Sequence, residues 1–143
     1  MQFENTLTIR KPPEVVFQFL ADFENAPSWN YAIERTQKAS EGPVRVGTTY
    51  HQTRSIPAPS EETFTVTEFE PPRRLAIDGD LGPFRGTLSY DLESVSDGTR
   101  LTNRADLRGT GLAKVAGPLL GRRVGDAVAA NLGKLKEILE STA

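Results

Sequence analysis

The chain has no cysteine, one histidine, one tryptophan and one methionine, and its charges nearly cancel, with a formal net charge of -2 over 143 residues. The absence of cysteine excludes disulfides, zinc–thiolate sites, iron–sulfur clusters and a thiol nucleophile. The lone histidine, His51, cannot form a histidine pair, and the acidic residues are dispersed, so no metal site is expected. Near-balance of charge argues against nucleic-acid binding, which usually shows a basic excess or stripe. No apolar run is long enough for a membrane span, and Met1-Gln2-Phe3-Glu4-Asn5 has neither the basic region nor the apolar run of a signal peptide. A cytoplasmic protein without stable membrane insertion is the expectation. No serine stands in a Gly-x-Ser-x-Gly context, and Gly79-Asp80-Leu81-Gly82 lacks the lysine of a phosphate loop. Nothing in the chain calls for a cofactor.

What is present is a patterned globular sequence, 37% hydrophobic and 25% charged, of a length that suits one domain over residues 1–143. Phe3, Leu7 and Ile9 alternate with Glu4, Thr6, Thr8 and Arg10, as in a half-buried strand. Lys11-Pro12-Pro13 ends that strand and opens a short amphipathic helix through Val15, Val16, Phe19, Leu20 and Phe23. A second short helix is predicted from about Pro27 through Trp29 and Ile33 to Thr36. Strand signals follow around 44–54, 63–67 and 75–77, separated by the 56–60 loop, by Pro71-Pro72 and by Asp78-Gly79-Asp80. Toward the end, Leu112, Val115, Leu119, Val124, Val128, Leu132, Leu135 and Ile138 recur at helical steps. Pro118 predicts a kinked start, with a regular helix over about 119–141. Ala116, Gly117, Gly121, Gly125, Ala127 and Gly133 interrupt this stripe, which predicts either close backbone packing or an internal space.

Asp97-Gly98 suits a two-residue type I′ hairpin turn. With that pair as the loop, Leu92 faces Asn103, Tyr90 faces Ala105 and Leu88 faces Leu107, while Asp91 pairs with Arg104 and Ser89 with Asp106. One face is then apolar and the other charged, so Leu88, Tyr90, Leu92, Leu101, Asn103, Ala105 and Leu107 are expected to point inward.

This order of elements resembles the START-like, Bet v 1-like (SRPBCC) superfamily, which includes polyketide cyclases, plant pathogenesis-related proteins and lipid-transfer domains. The resemblance is carried by Ile9 followed by Pro13, Val16 and Phe17; by Asp22 with Pro27 and Trp29; by Gly47; by Glu68 through Pro71-Pro72 to Leu75; and by Gly98-Thr99. It implies an α+β helix-grip fold: a curved antiparallel sheet of about seven strands wrapped around a long C-terminal helix, with two short helices after the first strand and an apolar cavity between sheet and helix. Six strands are legible directly, and the seventh is expected from a split of 44–54.

The candidate catalytic residues are Glu62, Tyr90 and His51. Glu62 shares the parity of Phe64 and Val66, so an inward carboxylate among apolar walls would have a raised pKa and serve as acid or base; a frayed strand start is the alternative. Glu68 has the same parity and sits at the strand's end. His51 suits a proton shuttle by its near-neutral pKa, or is a rim or surface histidine. Tyr90 and Asn103 are inward polar groups that either bond within the core or meet a ligand's oxygen. Trp29 anchors the short helices or borders the cavity mouth. Arg73-Arg74 and Arg122-Arg123 are conceivable anion sites or solvated charge.

The expected function is binding or transport of a hydrophobic or aromatic small molecule, such as a lipid, isoprenoid or polyketide-like compound. Its walls are Trp29, Phe64, Val66, Leu88, Tyr90, Asn103, Val124, Val128 and Leu132. The alternatives are a polyketide cyclase or dehydratase acting on an enclosed substrate, and a module that docks a protein through its arginine-bearing sheet or the 56–60 loop. A monomer or weak dimer is expected.

Overall fold

The computed structural model describes residues 1–110 and 118–141. Strand β1 (Gln2–Ile9) leads into helix α1 (Pro13–Ala21), a 3₁₀ turn (Phe23–Asn25) and one turn of helix, α2 (Ala26–Trp29). Six strands follow, β2 (Ile33–Lys38), β3 (Thr49–Arg54), β4 (Ser60–Glu70), β5 (Arg74–Leu81), β6 (Phe84–Val95) and β7 (Gly98–Gly109), and then helix α3 (Pro118–Ser141). The strands form one antiparallel sheet in the order β1-β7-β6-β5-β4-β3-β2. Leu112, Val115, Ala116 and Gly117 of the predicted stripe lie outside the described residues.

The seventh strand is β2, which the sequence pattern assigns to the second helix. The reason is a bulge. Ile33 pairs with Arg54, but the register shifts before Arg35, so Ile33 and Thr36 are both buried although three residues apart. A bulge puts two residues opposite one and converts period two into a spacing that imitates a helix. A second bulge in β4, between Val66 and Glu68, reverses the parity at the strand's end. Glu68 therefore leaves the face of Glu62, Phe64 and Val66 and pairs with Arg74 on the outside.

The β6–β7 hairpin turns at Ser96-Asp97, two residues out of the expected register: Tyr90 faces Asn103, Leu88 faces Ala105 and Leu92 faces Leu101. A slip of two preserves the faces, and all seven residues expected inward are buried. Gly98 belongs to the strand, not to the loop. Its φ is +141°, and a Cβ there would lie 2.2 Å from the Ile9 carbonyl oxygen and 2.8 Å from Lys11 N. The glycine is required where the β1–α1 connection crosses the hairpin.

Strand β5 runs through Asp78-Gly79-Asp80, so that expected turn is strand, and Gly79 lies opposite Gly86 of β6. Their φ values are +159° and +154°, and Cβ atoms would meet Thr63 O at 2.4 Å and Asp106 O at 2.1 Å respectively. At this adjacent pair neither strand contributes a side chain, and the strands approach closely.

Helix α3 runs along β1. Gly121 abuts Met1, Gly125 abuts Phe3, Lys136 Nζ donates to the Thr8 carbonyl at 2.5 Å, and Glu140 accepts from the Arg10 amide at 2.8 Å. Glycines 121 and 125 thus serve close packing, whereas Gly133 meets nothing within 4 Å. Leu132, Leu135 and Leu139 in the second half are buried, and Val124 and Val128 in the first half are half-buried. The convex face carries a chain of ion pairs across five strands, Glu68–Arg74 (2.9 Å), Arg74–Asp91 (2.7 Å), Asp91–Arg104 (2.8 Å) and Arg104–Glu4 (2.8 Å). These groups are a third to a half exposed, so each pair contributes little.

Candidate functional site

Antiparallel pairing aligns the inward residues of neighbouring strands into rows across the concave face. One row joins Thr36, Gln52 and Glu62. Glu62 is 2% exposed, and both its oxygens are engaged. Oε1 accepts from Gln52 Nε2 at 2.8 Å; Oε2 accepts from Arg54 Nε at 2.8 Å, Ser60 Oγ at 2.9 Å and the Gly82 amide at 2.5 Å. Thr36 Oγ1 donates to Gln52 Oε1 at 3.4 Å, and Arg54 Nη1 donates to the Ile56 carbonyl at 3.4 Å. Glu62 faces inward, but among polar partners rather than apolar walls. The carboxylate takes four donors, one of them the Arg54 guanidinium, and so ties together β3, β4 and the β5–β6 turn.

The next two rows are apolar. Tyr50, Phe64, Gly79, Gly86 and Leu107 form one, and Val66, Ile77, Leu88, Ala105 and Phe3 form the other. Phe64 stacks on Tyr50 with centroids 5.2 Å apart, and Phe23 meets both edge-on at 5.1 Å (Tyr50) and 5.3 Å (Phe64). The Tyr50 phenol is pushed up to about 12, first by burial and then by the nearby charges of Asp22 and Glu24.

Beyond these lies a row of Leu75, Tyr90, Asn103 and Asn5. Asn103 is fully buried. Its Nδ2 donates to the Ser89 carbonyl at 3.3 Å, and its Oδ1 has no partner among the described residues. Tyr90, directly opposite, is buried, and burial raises its phenol pKa, so it remains a neutral hydroxyl. Asn5 Nδ2 donates to the Gly125 carbonyl at 3.3 Å, which places this row beside the first half of α3.

Phe64, Val66, Leu88, Tyr90 and Asn103 therefore share the concave face, with Val124 and Val128 half-buried on the first half of α3 and Leu132 buried on its second. Trp29 is buried on α2, and its Nε1 has no partner among the described residues. His51 is exposed on the convex side of β3, opposite Gln37 and Thr63, away from Glu62 and Tyr90. Arg73 is exposed with Glu70 at 3.9 Å, Arg74 is committed to Glu68 and Asp91, and Arg122 and Arg123 are exposed on α3. Sequence reasoning missed Tyr50, Gln52 and Arg54 as inward residues, although their alternation with His51 and Thr53 is the signal that assigns them. It also missed the Gly79–Gly86 pair, which exists only once the β5–β6 register is known.

Among the described residues, no helix is long and apolar enough to cross a membrane. No curated protein matches the chain. The fold is shared with solved structures at low identity. TTHA0849 from Thermus thermophilus superposes with a TM-score of 0.81 at 16% identity over 97% of each chain. A conserved protein from Geobacillus kaustophilus gives 0.79 at 17% identity, covering 97% of this chain and 95% of that one. Ara h 8.0201, a Bet v 1-like protein, gives 0.75 at 16% identity over 99% of each. The family model described as polyketide cyclase / dehydrase and lipid transport matches residues 1–140. Together with the seven-stranded sheet and its long C-terminal helix, that match places the chain in the polyketide cyclase/dehydrase and lipid-transport family of the START-like, Bet v 1-like superfamily.

Proposed function

We propose that this protein binds a hydrophobic small molecule between the concave face and the first half of α3. The observation that carries this reading is the Gly79–Gly86 pair, where two neighbouring strands contribute no side chain to the concave face. On the first half of α3, Val124 and Val128 are only half-buried, while its second half buries Leu132, Leu135 and Leu139. The apolar surface that Val124 and Val128 still expose gains roughly 25 cal/mol per Å² when a ligand covers it, before the costs of binding. Phe64, Val66, Leu88, Val124 and Val128 supply the apolar contact, and Tyr90 and Asn103 orient the guest. The matching family's description as lipid transport and cyclase supports the same class of guest.

The test is uptake of the neutral fluorophore N-phenyl-1-naphthylamine by the purified protein, with native mass spectrometry to identify any retained molecule. Binding that Val128→Trp abolishes, with an unchanged far-UV circular dichroism spectrum, is the expected result. No uptake and no retained molecule would sink the reading.

A further inference from the structure

We infer that the guest is uncharged and carries a hydroxyl or N–H group that donates to Asn103 Oδ1. This rests on the binding reading above. The first ground is the unpaired oxygen itself. A buried acceptor without a donor forfeits the hydrogen bonds it would make in water, so a molecule that supplies the donor is favoured over one that does not. Asn103 is fully buried, and one of its two N–H donors goes to the Ser89 carbonyl, whereas its oxygen meets no donor at all among the described residues. Tyr90 lies across the β6–β7 pair, and its neutral hydroxyl donates in turn to the guest's oxygen. A hydroxyl group answers both, as donor to Asn103 and acceptor from Tyr90.

The second ground is the state of the charges. Among the described residues, the charged side chains on the concave face of the strands are Glu62, Arg54 and Lys38. Glu62 and Arg54 neutralise one another at 2.8 Å, and the Lys38 ammonium donates to the Gly42 carbonyl. No charged side chain of the strands shares the row of Leu75, Tyr90, Asn103 and Asn5, so the sheet offers no counter-charge there to a carboxylate or an amine. Burying an unpaired charge beside Leu88 and Ala105 is far costlier than burying a neutral hydroxyl. A long-chain or aromatic alcohol fits; a fatty acid or aromatic acid does not.

Calorimetric titration with 2-naphthol, 2-methoxynaphthalene and 2-naphthoate at neutral pH separates donor, shape and charge. In the unaltered protein 2-naphthol is expected to bind about tenfold tighter than its methyl ether, the worth of one hydrogen bond, and 2-naphthoate weaker than either. In Asn103→Leu the preference for 2-naphthol over the ether is expected to vanish while the ether's affinity is kept. Equal binding of naphthol and ether in the unaltered protein, tighter binding of naphthoate, or a preference that survives Asn103→Leu each overturns the inference and leaves the container intact. Binding of none of the three, with no uptake of N-phenyl-1-naphthylamine, overturns the container and this inference together. Should Asn103→Leu not fold, the order of the three affinities in the unaltered protein still decides.

Discussion

Glu62 and Asn103 are both buried on the same face of the same sheet, yet one has every oxygen engaged and the other has an oxygen with no donor. Glu62 sits near the end of the sheet, where Arg54, Ser60 and the Gly82 amide converge from three segments of chain. Asn103 sits in the interior of β7, flanked by strands whose own amides are spent on the ladder. A charged group is tolerated in the interior only when surrounded by donors; a neutral amide is tolerated with one acceptor unpaired. The fully satisfied residue therefore belongs to the scaffold, and the unsatisfied one is the better indication of a binding site. This reverses the order of interest that sequence parity suggests, in which Glu62 is the chemically active group.

The comparison is broken most severely at Glu62. Glu62→Ala leaves Arg54, which is 13% exposed, and the Gly82 amide without their partner, and a loss of about 3 kcal/mol in denaturant unfolding is expected. Full stability in that variant would mean that the carboxylate is free for chemistry after all. A pH effect of similar size is expected from Tyr50. Its phenol is raised from 10.0 to about 12, so the folded state favours the protonated form. The associated stability is complete below pH 10 and is lost as pH rises through about 12, on the order of 2 kcal/mol in all. Tyr50→Phe should flatten that alkaline loss in a series of unfolding curves.

At Asn103 the sign changes. Asn103→Leu removes an unpaired oxygen together with a long hydrogen bond, so the ligand-free protein is expected to be unchanged or more stable by about 1 kcal/mol. A loss as large as that of Glu62→Ala would place Asn103 in the scaffold as well. The smallest effect is expected on the convex face, where Arg104→Ala deletes two exposed ion pairs and should shift stability by less than about 1 kcal/mol.

Which residues face inward was largely legible, because alternation survives errors of register. The hairpin illustrates this: the turn lies two residues out of the register expected from Asp97-Gly98, and every inward residue stayed inward. One-residue irregularities were not legible. The bulge before Arg35 hid β2 inside an apparent helix, and the bulge after Val66 moved Glu68 to the other face. A bulge is stabilised by its partner strand, so nothing local marks it. The small residues of α3 were ambiguous for a related reason. Gly121 and Gly125 resolve to close packing only because Met1 and Phe3, at the opposite end of the chain, lie against them.

By itself the sequence determined the long terminal helix, the inward faces of β6 and β7, and the absence of cysteine chemistry. These follow from periodicity and composition, which are local properties. Tertiary structure alone decided the rest: that Glu62 is neutralised by Arg54, that Gly79 meets Gly86, that His51 faces outward, and that Asn103 is left with an unpaired oxygen. Whether a polar group is satisfied depends on what neighbouring strands bring to it, and strand register is a cooperative property of the whole sheet.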